Sequence, residues 1–252
     1  MSDINHIAVI LPCLDEGPNL NLLLPQLVGR YRTIVVDNGS KDDSIAIATK
    51  AGSEVISCGA KGYGNAVLAG MAYIANQPDN LPQVIVVCDA DGTSPASAIP
   101  SIIQPILSGS KDFVIGQRKF KQKGAMPSHA NFGNWLTVTL MQWCTGFRYH
   151  EMGPLRAIRY RSLLDLNMID RTWGWNVEMQ MKAIWQQLRI EEVPITYLRR
   201  AYGKSKISGS LWGSIKAGTK IISRVGYFYG EYLLKRMTLA PSQTSECNSN
   251  QK

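Results

Sequence analysis

Residues 83–95 read QVIVVCDADGTSP: a β-branched run that stops on two acids one residue apart, Asp89 and Asp91. The run has the length and composition of a strand buried on both faces, and Gly92 and Pro95 turn the chain behind it. HIAVILP, TIVVDNGS, SEVISC and DFVIGQR are runs of the same kind, alternating with helical patterns that begin near Pro18, Lys41, Gly64 and Ser97. Strand and helix in alternation predict an α/β fold, a mostly parallel central sheet flanked by helices. Ligands of such sheets bind outside the carboxyl ends of the strands. Asp37 ends one run, and Asp89 and Asp91 end another, so all three stand where a site forms.

The second half holds helical NFGNWLTVTLMQWCTG, a short strand near PLRAIRY, a helix around WNVEMQMKAIWQQL and a strand in RIEEVPITYLRR. AYGKSKISGS then leads into an amphipathic stretch, 211–237, whose apolar residues are interleaved with Lys216, Lys220, Arg224, Lys235 and Arg236. The pattern suits a helix lying in a lipid headgroup layer, and equally one packed on its own domain with solvated lysines. The more apolar helix at 131–146 is a second candidate for lipid contact. No repeat or linker divides the chain, so one domain is expected over 1–237, with a disordered polar tail at 238–252.

With 252 residues, 45% hydrophobic and 18% charged, the chain is long enough and apolar enough to bury a large core. Its net charge of +8 favours anionic partners. The absence of zinc-finger spacing, an RNA-binding aromatic signature or a long basic block argues against nucleic acid. Five scattered cysteines suit buried thiols better than a disulfide or zinc framework. The N-terminus reads as a first strand and not a signal peptide, and no apolar run reaches the ~20 residues that span a bilayer. The expected location is cytoplasmic, peripheral at a membrane face if membrane is touched at all.

Each motif has a chemical and a plain structural reading. Asp89 and Asp91 can together reach a hard divalent cation, or Asp91-Gly92 makes a turn and Asp89 caps the next helix. Asp37 can accept hydrogen bonds from a nucleobase or ribose, or it belongs to a turn at Asn38-Gly39 in which Ser40 caps the helix that follows. In KGYGNAVLAGM, Gly62 and Gly64 precede a helix whose first N–H groups could meet phosphate. A dinucleotide fold also wants an acid about 20 residues on, at a strand end. That register falls in the loop NQPDNLPQ, which argues against hydride transfer. His129 and His150 read as ordinary polar residues, and Trp135, Trp143, Trp173, Trp175 and Trp185 as mostly core. Glu178 lies beside an inward helical face and has Lys182 at i+4, where an exposed pair is worth only about 0.3–0.5 kcal/mol.

The ordered series ILPCLDEGPNL, IVVDNGSKDDS, KGYGNAVLAGM, VVCDADGTSP, FVIGQR, EMGPLRAIRY, WGWNVEMQMKA, EVPITYLRR and YGKSKISG resembles family-2 glycosyltransferases of the GT-A fold. Within them it is most similar to the dolichol-phosphate mannosyltransferase and polyprenyl-phosphate glycosyltransferase group. The resemblance implies a nucleotide-sugar site at Pro12, Asp15, Glu16, Asp37, Lys61, Gly64 and Ala90. It implies that Asp89 and Asp91 hold Mg²⁺ or Mn²⁺ and, through it, the donor diphosphate. Arg118, Glu151 and Glu178 join Asp91 as implied catalytic residues, and Arg200, Ser205 and Lys206 match a lipid-phosphate grip. The implied activity is metal-dependent, inverting transfer of a hexose from a nucleotide sugar, of GDP-mannose or UDP-glucose type, to polyprenyl or dolichyl phosphate at a membrane surface. A soluble acceptor, or nucleotide-sugar binding without catalysis, are the alternatives. The sequence departs from the family pattern twice: Asn38 stands where many relatives have a second acid, and Glu151 where many have Asp. On its plain reading Glu151 is a surface acid pairing with Arg156 or His150.

Overall fold

The computed structural model describes residues 6–120, 128–203 and 211–239. In chain order the strands and α-helices are β1 (Ile7–Cys13), α1 (Gly17–Leu27), β2 (Arg32–Asp37), α2 (Ser44–Lys50), β3 (Glu54–Ser57), α3 (Tyr63–Ala75), β4 (Val84–Val87), α4 (Ile99–Leu107), β5 (Phe113–Phe120), α5 (Ser128–Thr145), β6 (Arg156–Arg159), α6 (Tyr160–Asp165), α7 (Trp175–Trp185), β7 (Ile190–Tyr197) and α8 (Leu211–Leu239). The strands form one sheet in the order β3-β2-β1-β4-β6-β5-β7. Four of its six pairings are parallel, and only the two made by β6 are antiparallel.

Alternation within each strand builds the two apolar layers, because successive side chains leave a strand on opposite faces. Ala8, Ile10, Ile34, Val36, Ile85 and Val87 pack on one face with Val67 and Ile74 of α3, Met141 of α5, Trp175 of α7 and Phe228 of α8. Val9, Leu11, Val35, Val84 and Val86 pack on the other with Leu20, Leu24 and Leu27 of α1 and Ile99, Ile102 and Ile106 of α4. Covering on both faces explains why these strands read as continuous apolar runs.

The far end of the sheet is fastened by ions. Arg189 reaches Asp112 through Nε at 2.9 Å and Nη2 at 2.8 Å, and its own backbone N–H donates to the same carboxylate at 3.1 Å. Arg159 lies 3.5 Å away. These contacts, the Arg189 side chain first, hold the Asp112 carboxyl down at about 2. A depressed carboxyl adds stability above its unfolded pKa near 4 and loses it as pH falls toward 2. Asp112→Asn is therefore expected to cost roughly 1–2 kcal/mol at neutral pH, after discounting for solvent screening. Urea titrations at pH 7 and pH 2.5 check it: the gap between the two proteins should narrow in acid.

Helix α8 packs on α5 and α7. Val225 and Phe228 are buried in the same layer as Trp175, Tyr232 stacks on Trp185 at 4.5 Å, and Arg224 pairs with the buried Asp170 at 2.7 Å. The self-packing reading of this segment thus accounts for one side of it. Its other side leaves Tyr227, Leu234 and Met237 exposed. Two tryptophans expected in the core also stand outside it: Trp135 is 57% and Trp143 77% exposed. Helix α5 turns Val138 and Met141 to the core, and the i, i+3 spacing that does so carries Phe132, Trp135 and Trp143 to the outer face. Among the described residues, no helix is long and apolar enough to cross a membrane. Most of the expected tail, 240–252, lies outside the described residues.

Candidate active site

Strands β1, β2 and β4 run in parallel, so Asp15 and Glu16, Asp37, and Asp89 and Asp91 gather at one sheet edge. Chain order reverses between β1 and β4, which opens the crevice where such folds bind ligands. Because β6 runs antiparallel, its first residues, and Glu151 ahead of them, come to that same edge. Strands β5 and β7 deliver Arg118 and the segment 198–203 to it from their carboxyl ends.

The β1 and β2 loops are knitted together by acids. Asp15 Oδ1 accepts the Lys41 N–H at 2.6 Å, and the Asp15 N–H donates to Ser40 Oγ at 2.9 Å. Asp37 accepts the N–H groups of Gly39 and Ser40 at 3.0 and 3.1 Å, which is the turn of its plain reading. Ser40 serves Asp15 and does not cap α2. Asp42 meets that helix instead, accepting from Ser44 and, across the gap, from the Gly17 N–H. Asn38 donates to the Ala60 carbonyl at 2.7 Å and accepts the Gly62 N–H at 2.8 Å. A carboxylate has no donor for that carbonyl, so the amide is suited to this position on structural grounds. Pro12 sits in β1 opposite Val36, Ala90 is buried toward the α1 and α4 layer, and the Lys61 side chain is exposed.

Asp91 has two occupations. Oδ1 accepts the Thr93 N–H at 3.0 Å and the Thr93 hydroxyl at 2.6 Å, closing the turn at Gly92, where φ is +72°. Oδ2 faces Arg200 Nη2 at 2.9 Å. Among the described residues no hydrogen bond or ion pair reaches the Asp89 carboxylate, so it caps no helix. Burial, and then the charge of Asp91, push it up to about 7 against the pull of Arg118, Arg156 and Arg200. An unpartnered carboxylate beside a second one fits a hard divalent cation. Among the described residues no third acid, His or Cys joins them. Two protein oxygens suit Mg²⁺ or Mn²⁺, which fill the remaining positions with water and substrate phosphate.

Around the acids lies a ring of charge. Arg118 Nη2 donates to Glu151 Oε1 at 2.5 Å, and its guanidinium lies over the Tyr197 ring at 5.3 Å. Glu151 is buried, not a surface acid, and its partner is Arg118; the partner of His150 is Glu192. Glu192 also accepts the N–H groups of His150 and Glu151, at 2.9 and 3.0 Å, and so fixes the backbone that carries Glu151. Arg156 is wholly buried, donating to the Gly153 carbonyl at 2.5 Å and the Asn176 carbonyl at 3.3 Å. Burial pulls it down to about 10, opposed by Tyr63, Tyr149, Asp89 and Glu151. The sequence offers Arg156 only as a surface partner for Glu151 and does not point to Glu192. The one available signal was a charge set inside an otherwise strand-forming run.

Segment 198–203 crosses the edge. Leu198 N–H donates to the Thr93 carbonyl at 2.8 Å, Arg200 bridges Asp91 and Glu16, and Tyr202 is bonded to Asn19. Ser205 and Lys206 lie outside the described residues.

Glu178 and Gly64 are placed elsewhere than expected. The Glu178 side chain is fully buried, accepting the N–H groups of Ile169 and Asp170 at 2.8 and 2.7 Å and Lys182 Nζ at 2.6 Å. It ties down the loop before α7, and its pair with Lys182 is a buried one. The Gly64 N–H is already spent on the Thr172 carbonyl at 3.2 Å, and the Asn65 N–H on that of Arg171 at 3.0 Å. A Cβ on Gly64 would lie 2.1 Å from the Asp170 carbonyl oxygen. This glycine lets two backbones touch, and its N–H is not presented to a phosphate here.

A sheet covered on both faces, with a D-x-D pair at its switch point and arginines around it, is the architecture of a GT-A glycosyltransferase. The sequence model of Glycosyl transferase family 2 matches residues 8–166, and the chain belongs to that family. An uncharacterized glycosyltransferase of Mycobacterium tuberculosis is 35% identical over 84% of this chain and 94% of its own. The dolichyl-phosphate hexose transferase of Haloferax volcanii is 33% identical over 81% of this chain and 87% of its own. Among solved structures, glucosyl-3-phosphoglycerate synthase of M. tuberculosis, in complex with Mn²⁺, uridine-diphosphate-glucose and phosphoglyceric acid, superposes with a TM-score of 0.65 over 87% of this chain and 79% of that one, at 19% identity.

Proposed function

We propose that the protein moves a hexose from a nucleoside-diphosphate sugar onto a polyprenyl phosphate, with inversion at the anomeric carbon. The observation that carries this reading is the meeting of Arg200 with Asp91, one of two neighbouring acids at the switch point of the sheet, at 2.9 Å. The names of the relatives support it: one is a dolichyl-phosphate hexose transferase, and the solved glucosyl synthase holds Mn²⁺ with a nucleotide sugar.

Asp89 and Asp91 would hold Mg²⁺ or Mn²⁺, which when bound neutralises charge on the donor diphosphate. Asp37, with Asp15 and Glu16, lies where base and ribose would rest, and Lys61 is exposed beside that loop. The acceptor oxygen attacks the anomeric carbon as the bond to the diphosphate breaks, giving nucleoside diphosphate and polyprenyl-phosphate hexose. An acceptor phosphate is ionised near pH 7, so no strong general base is needed. Negative charge builds on the leaving diphosphate, and Arg118, held by Glu151, answers it more strongly in the transition state than before it. Arg200, with Ser205 and Lys206 beyond it, would orient the acceptor phosphate. Glu178 acts here through the loop it anchors. Exposed Phe132, Trp135 and Trp143 on α5, with Leu234 and Met237 on α8, suit a bilayer surface from which the lipid would enter.

The test is a panel of UDP- and GDP-sugars with Mg²⁺ or Mn²⁺, offered with short-chain polyprenyl phosphates or with soluble phosphorylated acceptors. Mass spectrometry should find the hexose on the lipid phosphate, and transfer to soluble acceptors alone would sink the lipid reading.

A further inference from the structure

Asn19, buried behind the β1 loop, touches both parts of the arrangement that holds Arg200. Its Nδ2 donates to Glu16 Oε2 at 2.7 Å and to the Tyr202 carbonyl at 3.2 Å, and its Oδ1 accepts the Tyr202 N–H at 3.2 Å. Two residues before Tyr202, Arg200 Nη1 lies 3.1 and 3.3 Å from the same Glu16 carboxylate, while Nη2 lies 2.9 Å from Asp91. At the other end Leu198 is bonded to Thr93. The backbone of 198–203 is thus pinned on either side of Arg200, to α1 and to the loop that bears Asp91.

Resting on the function proposed above, we infer that Asn19 is a positioning residue that decides where Arg200 acts. Asn19 holds Glu16 and the Tyr202 backbone so that Arg200 sits on Asp91 and neutralises it. A divalent cation and a guanidinium compete for that one carboxylate oxygen. When the cation takes it, Arg200 keeps its backbone anchor at Tyr202 and its side chain turns to the acceptor phosphate. Donor-side occupancy therefore precedes a strong acceptor grip. The anchors stay, and one side chain exchanges partners.

Mn²⁺ titrations by calorimetry on the full chain, without donor, test this with a readout that does not need turnover. Asn19→Ala changes no charge, so a purely electrostatic effect of Arg200 on the cation would leave its affinity alone. Mn²⁺ should bind the variant about fivefold or more tightly. The KM for a short-chain polyprenyl phosphate should rise about fivefold to tenfold, with the donor KM at saturating Mn²⁺ within about twofold. Unchanged Mn²⁺ affinity in a folded variant overturns the role of Asn19 and leaves the cation site standing. A wild-type chain that binds no Mn²⁺ overturns the cation site itself, and this inference with it. Should the alanine variant lose its cooperative thermal transition, amide exchange in the wild-type chain decides: the Leu198 and Tyr202 amides must stay protected when Mn²⁺ is added. Loss of their protection means that the whole segment leaves, which overturns the inference.

Discussion

Asp91→Asn is expected to lower kcat for hexose transfer on the order of 10²–10³-fold or more, with loss of Mn²⁺ binding and little change in folding. The amide oxygen can still accept from Thr93, so the turn at Gly92 survives. The amide nitrogen then faces Arg200, and a hard cation held by the two acids would lose one of its protein oxygens. Asp89 alone leaves one carboxylate where a hard cation would have two, and is a poor substitute. Steady-state turnover and a Mn²⁺ titration on the same sample check the result. Turnover within about threefold of wild type would remove the acid pair from the chemistry.

The second large effect is on stability. Glu178→Ala is expected to cost about 3–5 kcal/mol, because it leaves Lys182, largely buried, without its charge partner and two backbone N–H groups without an acceptor. For a chain of this size the loss corresponds to a fall in Tm on the order of 10 °C. Activity per folded molecule should stay within about tenfold of wild type, since Glu178 acts through the loop at 169–172, where backbone meets the start of α3. Thermal melts and turnover normalised to folded protein separate the two readings. An unchanged Tm with kcat lost by more than about 100-fold would return Glu178 to the chemistry.

The two predictions concern acids that look alike in sequence. Each stands in a short motif at a position the family resemblance marks. Asp91 follows a run whose unbroken β-branched character already announces a strand buried on both faces, and the carboxyl end of such a strand is where ligands bind. Its place therefore follows from local pattern. The fate of Glu178 depends on a loop eight residues away folding back on its helix, and nothing in the helical period records that. The same holds for Gly64: a glycine before a helix looks the same whether a phosphate or the Asp170 carbonyl approaches it. The plain reading of Glu151, a surface acid, rests on the partners close to it in sequence, His150 and Arg156. Its actual partner, Arg118, comes from β5 and meets it through β6.

Local residue spacing is enough to set the layers and the end of the sheet where the site forms. Continuous apolar runs, whose successive side chains leave on opposite faces, built both sides of the sheet, helices between parallel strands covered them, and that geometry brought Asp37, Asp89 and Asp91 to one end. These are consequences of local spacing, which a linear chain carries openly. Only the tertiary structure decided which acids are left unpartnered and which are consumed. Among the described residues the Asp89 carboxylate has no partner, Asp37 closes a turn, Glu178 anchors a loop, and Asp91 is shared between Thr93 and an arginine 109 residues away. A buried charge is settled by whichever donor the fold brings within about 3 Å, and that distance is a property of the packed molecule.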